Sequence, residues 1–157
     1  MALQYISDNT SSIEPHTLMM AGMTLYAKGY KDSSMYWIYL GDIRARYLSS
    51  LYKQRSDAAL YSSFHSIAIQ LTQDYAKNNV QMLYKQINQA LQFDSLNPLK
   101  PLDFLETPND TIQYIPVGEW KQHYDIVRQT YHHLEQEILQ NGNSIFEEDA
   151  KKKTNPK

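Results

Sequence analysis

The chain has 157 residues, of which 42% are hydrophobic and 20% charged, and its formal net charge is -2. This length suits one domain with one core, and the apolar fraction is too high for a disordered chain. No window is apolar enough to span a bilayer, and the charge balance provides no broad cationic surface for a phosphate backbone. We therefore expect a single soluble domain with neither a nucleic-acid nor a membrane partner.

Cysteine is absent, which excludes disulfides, thiolate nucleophiles and cysteine-ligated zinc. The N-terminal residues show neither the basic start nor the apolar run of a secretory signal. We expect a cytoplasmic protein, or a periplasmic one if a signal peptide was removed. The 13 tyrosines beside 4 phenylalanines favour contact surfaces, because a tyrosine packs its ring while its hydroxyl stays near water or a partner.

The N-terminal part of the chain predicts a helical hairpin. Ser12 can cap a helix that ends at Gly29, and Asp32 or Ser33 can cap the helix that follows. Gly41 lies inside this second helix, where glycine costs about 1 kcal/mol relative to alanine, and it therefore indicates a close helix crossing. Apolar positions recur at helical spacing: Leu18, Gly22, Leu25 and Tyr26 in the first helix, and Tyr36, Leu40, Ile43 and Tyr47 in the second.

A second hairpin is predicted after a polar break at residues 54–57. Its two helices are amphipathic, with apolar residues at spacings of three and four. A further break near Asn78 and Asn79 separates them. The apolar positions are Leu60, Phe64, Ile67, Ala68, Leu71 and Tyr75 before the break, and Val80, Leu83, Tyr84, Ile87, Ala90 and Leu91 after it.

Residues 93–118 predict a packed loop. Each proline removes a backbone donor and disfavours helix in the residue before it, so no long helix fits here. The segment also carries too many apolar residues for a solvated linker, and residues 111–115 can add a short extended piece. The prolines are Pro98, Pro101, Pro108 and Pro116.

The last helix has a strong apolar stripe and is expected to end at Asn141 and Gly142. Residues 147–157 are mostly charged and predict a solvated tail after a domain of residues 1–146. The whole pattern predicts an all-α fold of about five helices in antiparallel hairpins, either a helical bundle or a tetratricopeptide-like array. The stripe consists of Trp120, Tyr124, Val127, Tyr131, Leu134 and Ile138.

Motifs for catalysis or cofactor binding do not emerge from the sequence. The five glycines are scattered singly, so they form no phosphate-binding loop, and no serine has a recognisable nucleophile motif. The i, i+4 pairs Glu119 with His123 and His133 with Glu137 have a spacing that can share a metal, but such pairs are common on helix surfaces. We predict no catalytic residue, cofactor or metal site, and expect His16 and His65 to be structural.

Contact with a partner protein is the expected function. Protein interfaces depend on a few aromatic and arginine anchors. Arg44 and Arg46 project about 200° apart on one helix, so at most one faces the core and the other can bind a partner carboxylate. The predicted contact residues are Trp37, Tyr39, Arg44, Arg46, Tyr114 and Trp120.

Three sequence features carry a family resemblance. The hairpin of residues 25–32 runs into the aromatic segment 36–41, which is followed by Arg44 and Arg46, and residues 97–101 read Asn-Pro-Leu-Lys-Pro. This pattern, with the closing helix to Asn141, resembles small bacterial helical proteins, some of which are similar to immunity proteins that neutralise toxins delivered by type VI secretion. The chain departs from the pattern in lacking a secretory start and in its longer segment between Pro101 and Trp120.

The resemblance implies an immunity protein that binds and blocks a cognate toxin or effector by direct contact, as a monomer or a homodimer. An alternative is a helical adaptor or effector chaperone that holds a peptide or a partner helix, for which a concave groove between helices is expected. A third hypothesis is a small metal-dependent enzyme that uses Glu119 and His123.

Overall fold

The structure is a computed structural model that describes residues 9–53, 58–77 and 79–154, with side chains described within 9–53, 61–77 and 79–141. No β-strand occurs in these ranges, which confirms the predicted all-α fold. The predicted break at residues 54–57 and Asn78 lie outside the described residues. The helices are α1 (Pro15–Ala27), α2 (Lys31–Ser50), α3 (Ala58–Ala76), α4 (Val80–Leu96) and α5 (Trp120–Thr154). In the described part of the chain, 3-10 turns span Thr10–Ser12, Pro101–Asp103 and Val117–Glu119.

Helix α2 lies at the centre of the fold and contacts each of the other four helices. Every residue from 38 to 45 is buried, so this part of α2 has no face toward solvent. Helices α1 and α2 pack against each other in an antiparallel hairpin, with Gly22 of the predicted α1 stripe against Ser34 and Ile38. The apolar stripe predicted for α2 faces other helices instead: Tyr36 packs against Phe93 of α4, and Tyr47 packs against Tyr124 of α5. Side chains on α2 that are almost fully buried include Met35, Ile38, Leu40 and Ile43.

Two glycines set the crossing of α1 and α2. A Cβ atom at Gly41 would lie 2.5 Å from Met19 Cγ and 2.7 Å from the Pro15 carbonyl oxygen. A Cβ atom at Gly22 would lie 2.9 Å from the Ser34 carbonyl oxygen. These distances are shorter than van der Waals contact, so the two backbones approach this closely only because both positions lack side chains. The close crossing predicted from Gly41 is confirmed.

Helix α1 ends as predicted but begins later than predicted. Gly29 has a φ of 88°, the left-handed conformation that glycine adopts without steric cost at the end of a helix. At the other end Glu14, not Ser12, is the N-cap, and its carboxylate accepts a hydrogen bond from the backbone N–H of Thr17 at 3.0 Å. Ser12 lies in the preceding 3-10 turn.

The start of α2 also differs from the prediction. The N-cap residue is Tyr30, and neither Asp32 nor Ser33 caps the helix. The Asp32 carboxylate instead accepts a hydrogen bond from the Tyr75 hydroxyl of α3 at 2.5 Å. A partner far away in the sequence has therefore replaced the local capping bond.

The proline-rich segment, which follows α4 and spans residues 97–118, packs on the helices, as predicted. Leu99 is buried, and the Trp120 indole Nε1 donates a hydrogen bond to the Ile115 carbonyl at 3.1 Å. Residues 113–115 are extended and pair with the end of α2 through an antiparallel bridge between Tyr52 and Tyr114. The short extended piece predicted at residues 111–115 is thus present as a single bridge.

Helix α5 extends much further than predicted. Its 35 residues run through Asn141 and Gly142 to Thr154, so the predicted helix end is wrong and residues 147–154 are helical; residues 155–157 lie outside the described part. Residues 147–153 are mostly Glu, Ala and Lys, whose high helix propensity outweighs the cost of one glycine, about 1 kcal/mol. Neither α5 nor another described helix is both long and apolar enough to cross a membrane.

A buried ionic network joins α2, α4 and α5. Arg44 and Asp94 are both 0% exposed, and Arg44 Nε donates to Asp94 Oδ1 at 3.0 Å. The same guanidinium donates to the carbonyls of Thr10 and Asn97, each at 2.7 Å. The other Asp94 oxygen accepts from Arg128 Nη1 at 3.3 Å. The prediction that Arg44 contacts a partner does not fit this structure, because the side chain is enclosed and each of its three nitrogens already donates a hydrogen bond within the chain.

We expect Gly41→Ala to lower the free energy of unfolding by about 1–3 kcal/mol, because the new methyl group overpacks the α1–α2 crossing. Urea denaturation measures this change. Gly118→Ala is the control, since a Cβ there meets nothing within 4 Å and a surface substitution changes stability by less than about 0.5 kcal/mol. Equal stability of the two variants would contradict the role assigned to the crossing.

We expect Asp94→Ala to lower the free energy of unfolding by about 3–5 kcal/mol, because it leaves the buried Arg44 guanidinium without its counter-charge. Thermal or urea denaturation provides the measurement. Lys121→Ala is the comparison: it breaks the exposed Lys121–Asp125 pair, which is worth at most about 1 kcal/mol. A similar loss of unfolding free energy in both variants would show that burial does not determine how much the Arg44–Asp94 pair stabilises the fold.

Candidate functional site

A groove runs between α3 and α5, with α2 as its floor. Both outer helices pack on α2 but contact each other only slightly. One part of this α3–α5 groove is a cavity of about 430 Å³. Its lining includes Ile38, Tyr39 and Asp42 from α2, His65, Ala68 and Thr72 from α3, and Tyr131, Leu134 and Ile138 from α5.

The groove continues into a second cavity of about 350 Å³. The two cavities meet at three shared residues, Arg46, His65 and Thr130. Along the groove the residue numbers rise together on α3 and α5 and fall on α2, so α3 and α5 run parallel to each other and antiparallel to the floor. The second cavity is rich in hydroxyl groups, those of Ser49, Ser50, Tyr52, Tyr61 and Ser62.

Asp42 is the charged group at the bottom of the groove. It is only 3% exposed, and a buried carboxylate requires hydrogen-bond donors in place of water. His65 Nδ1 lies 3.0 and 3.1 Å from its two oxygens, and the Tyr131 hydroxyl donates to Oδ2. One helix from each wall therefore supplies a donor to the floor.

The electrostatics of the groove follow from this cluster. The hydrogen bond to Asp42 raises the pKa of His65, against the opposing effects of burial and of the Arg46 charge. Burial raises the pKa of both Tyr61 and Tyr131, and the Asp42 carboxylate adds to the effect. The two phenols consequently stay neutral at physiological pH, and the titration that matters there is that of His65.

The arrangement leaves one nitrogen of His65 open to a ligand. Because an ionised carboxylate only accepts hydrogen bonds, the proton shared with Asp42 belongs to Nδ1. Nε2 then lies on the opposite side of the ring and has no hydrogen-bond partner among the described residues. Such a nitrogen can exchange one proton or, when protonated, donate a hydrogen bond to an anionic group.

The predicted contact residues fall into four places. Arg46 lines the groove, with its guanidinium 5.8 Å from the centre of the Tyr131 ring, and Tyr39 belongs to the groove floor but is largely buried. Trp37 is half-buried against Tyr36, at 5.2 Å between ring centres, and does not line the groove. Arg44 belongs to the core, where its donors bind Asp94 and two carbonyls.

Tyr114 and Trp120 are brought together at a separate cavity of about 540 Å³ in the proline-rich segment. Both side chains are half-buried, and the Tyr114 hydroxyl donates to the Glu106 carbonyl at 3.0 Å. Leu102 and Val117 line the same cavity and are exposed. This loop cavity is a second surface, distinct from the α3–α5 groove.

The histidine–carboxylate pairs of α5 are separated from one another. His133 and Glu137 line the groove, whereas Glu119 lies exposed in the 3-10 turn that precedes His123. Within the part of the chain whose side chains are described, no group of three His, Cys, Asp or Glu residues is arranged to hold a metal ion.

Sequence reasoning missed Asp42 and Tyr131 as site residues and assigned His65 a structural role. One signal was present for Asp42, which lies three to four residues from Ile38, Tyr39 and Arg46 on a helix rich in apolar residues. A carboxylate in such surroundings requires partners. The residues that provide them lie 23 and 89 positions away in the sequence, and no local sequence feature identifies them as partners.

The chain matches no family model, no curated protein and no solved structure. The resemblance of residues 25–46 and 97–101 to small bacterial immunity-type proteins therefore stays a prediction. What the groove can bind follows from its own residues.

We expect His65 to titrate above the ordinary histidine value of about 6.5, and Asp42→Asn to lower its pKa. The ring signals of His65 in an NMR pH titration measure both. The pKa of His65 is higher in the folded state than in the unfolded chain. Its contact with Asp42 therefore stabilises the fold fully at pH values below the unfolded-state pKa, and this stabilisation is lost as the pH rises through the folded-state pKa. The amide oxygen introduced by Asp42→Asn still accepts a hydrogen bond from Tyr131, so an unchanged His65 pKa in this variant would contradict the assigned cause.

Proposed function

We propose that this protein is a binding protein that takes up a helical segment of a partner protein in the α3–α5 groove. The observation that carries the proposal is the groove itself: two parallel helices pack on a common floor and scarcely touch each other. Binding an amphipathic helix in an apolar groove between helices is a recurring mode of recognition.

The composition of the groove supports the proposal. It combines tyrosines and an arginine, the residue types that dominate binding energy at interfaces, with apolar side chains on both walls. Ile69 on α3 is 43% exposed and lines the first cavity, and Ile126 on α5 is exposed at the second. Burial of exposed apolar groups of this kind on binding is the main source of affinity.

We further propose that the partner is a toxin and that the protein is an immunity protein that neutralises it by contact. The support is the resemblance of residues 25–46 and 97–101 to such proteins, together with a surface that can block a toxin by occupying one of its segments. A second candidate function is a helical adaptor or effector chaperone. It is favoured by the same groove, because a concave site between helices is what a peptide-holding protein requires.

We expect Ile69→Glu to weaken partner binding by at least about tenfold, because it places a charge in the apolar part of the groove. The matched control is Ile67→Glu, a change on the same helix at a residue of similar exposure, 45%, that does not line the groove. The measurements are a pull-down of secreted proteins from the native bacterium, the affinity of each variant, and the survival of cells that express the toxin encoded beside this gene.

The outcomes separate the two functions. Rescue from the toxin by the wild type and by Ile67→Glu, but not by Ile69→Glu, supports the immunity function. Binding of a secreted protein that stays toxic but is exported more efficiently supports the adaptor. Equal binding by both variants would place the contact surface outside the groove, and recovery of no partner together with no rescue would overturn the proposal.

A further inference from the structure

We propose that the partner segment is an amphipathic helix that places a carboxylate side chain against Arg46 and His65 and a basic residue near Glu137. This inference rests on the proposed function and adds the chemistry of the segment. It follows from three features of the described residues: a cation without a counter-charge among them, a histidine oriented by Asp42, and a carboxylate at the far end of the same cavity.

Arg46 differs from the arginines of the core network. Arg44 and Arg128 both bind the Asp94 carboxylate. Arg46 is half-buried, and among the described residues it makes neither an ion pair nor a hydrogen bond; it contacts the face of the Tyr131 ring. The planar guanidinium carries donors whose spacing matches the two oxygens of a carboxylate.

His65 strengthens this site. Three groups that titrate or carry charge act on its ring: Asp42 and Arg46 from α2 and Tyr61 from α3 itself. Tyr131 of α5 binds the same Asp42 carboxylate. When His65 is protonated, its charge offsets that of Asp42, and Arg46 contributes an uncompensated positive charge where the two cavities meet. Nε2–H then adds a second donor for the same carboxylate.

The opposite end of the first cavity has the opposite charge. Glu137 lies there, two helical turns beyond Thr130, which marks the Arg46 end on α5. Between them lie apolar side chains of the lining, among them Ala68 and Leu134. A helix that complements this surface has an acidic and a basic residue about seven positions apart, with apolar residues between them at spacings of three and four, since side chains at these spacings share one face.

The test uses a library of amphipathic peptides of about 14 residues, roughly four helical turns, displayed with the C-terminus linked to the encoding nucleic acid. Peptides are selected on the wild-type protein and on the Ile69→Glu protein. We expect peptides bound by the wild type alone to be enriched in Asp or Glu, with Lys or Arg about seven positions away on either side. Recovered groove peptides without this acidic enrichment would overturn the inference and leave the proposed function standing, whereas identical peptides from both proteins would overturn both.

A charge-swap experiment then tests the contact itself. Arg46→Gln is expected to weaken the binding of a selected peptide by at least about tenfold. The same loss of affinity is expected from Glu→Gln in the peptide, with little further loss when the two changes are combined. Lys85→Gln, at an exposed lysine of α4 that does not line the groove, is the control and should change nothing. Additive losses would show that Arg46 and the carboxylate do not interact and would overturn the inference.

The pH dependence provides a further readout. Neutral His65 presents a lone pair at Nε2, which repels a carboxylate. The affinity for the selected peptide is therefore expected to fall as the pH rises through the His65 pKa. The His65→Gln variant should not show this pH dependence. Two results would overturn the inference: binding only by synthetic peptides with a free C-terminal carboxylate, or self-association of the protein that Arg46→Gln removes, which would make a second copy the occupant.

Discussion

The complete enclosure of the middle of α2 governs both the fold and the groove. Every residue from 38 to 45 is buried, yet two of them, Asp42 and Arg44, carry charges. A buried charge is tolerated only when donors or acceptors within the protein replace water. The two residues point to opposite sides of the helix. Arg44 therefore draws α4 and the proline-rich segment to one side, and Asp42 draws α3 and α5 to the other.

This division explains why the groove is where it is. Helices α3 and α5 each donate a hydrogen bond to Asp42, one through His65 and the other through Tyr131. They are thus fixed to the floor, while little holds them to each other. Arg46 lies one turn beyond Asp42, at the junction of the two cavities, so the helix that organises the groove also places a positive charge in the middle of it.

Local patterns sufficed for the helices but not for the site. Periodicity identified the helices, and Gly41 indicated the close crossing, because these features depend on neighbouring residues. The roles of Arg44 and Arg46 were different: their spacing shows that they point apart but not which one faces the core. His65 has no mark of a site in the sequence because its partner belongs to another helix. The length of α5 was underestimated because one glycine was given more weight than the strong helix formers after it.

The two carbonyl groups bound by Arg44 have a consequence for cooperativity. Thr10 belongs to the turn before α1, and Asn97 begins the proline-rich segment. Terminal turns and loops of this kind are the first regions to open in many proteins, because few contacts hold them. Here each supplies an acceptor to a guanidinium that has no access to water. Release of either segment exposes an unsatisfied donor in the core, so the periphery and the centre of this protein are coupled into one unfolding unit.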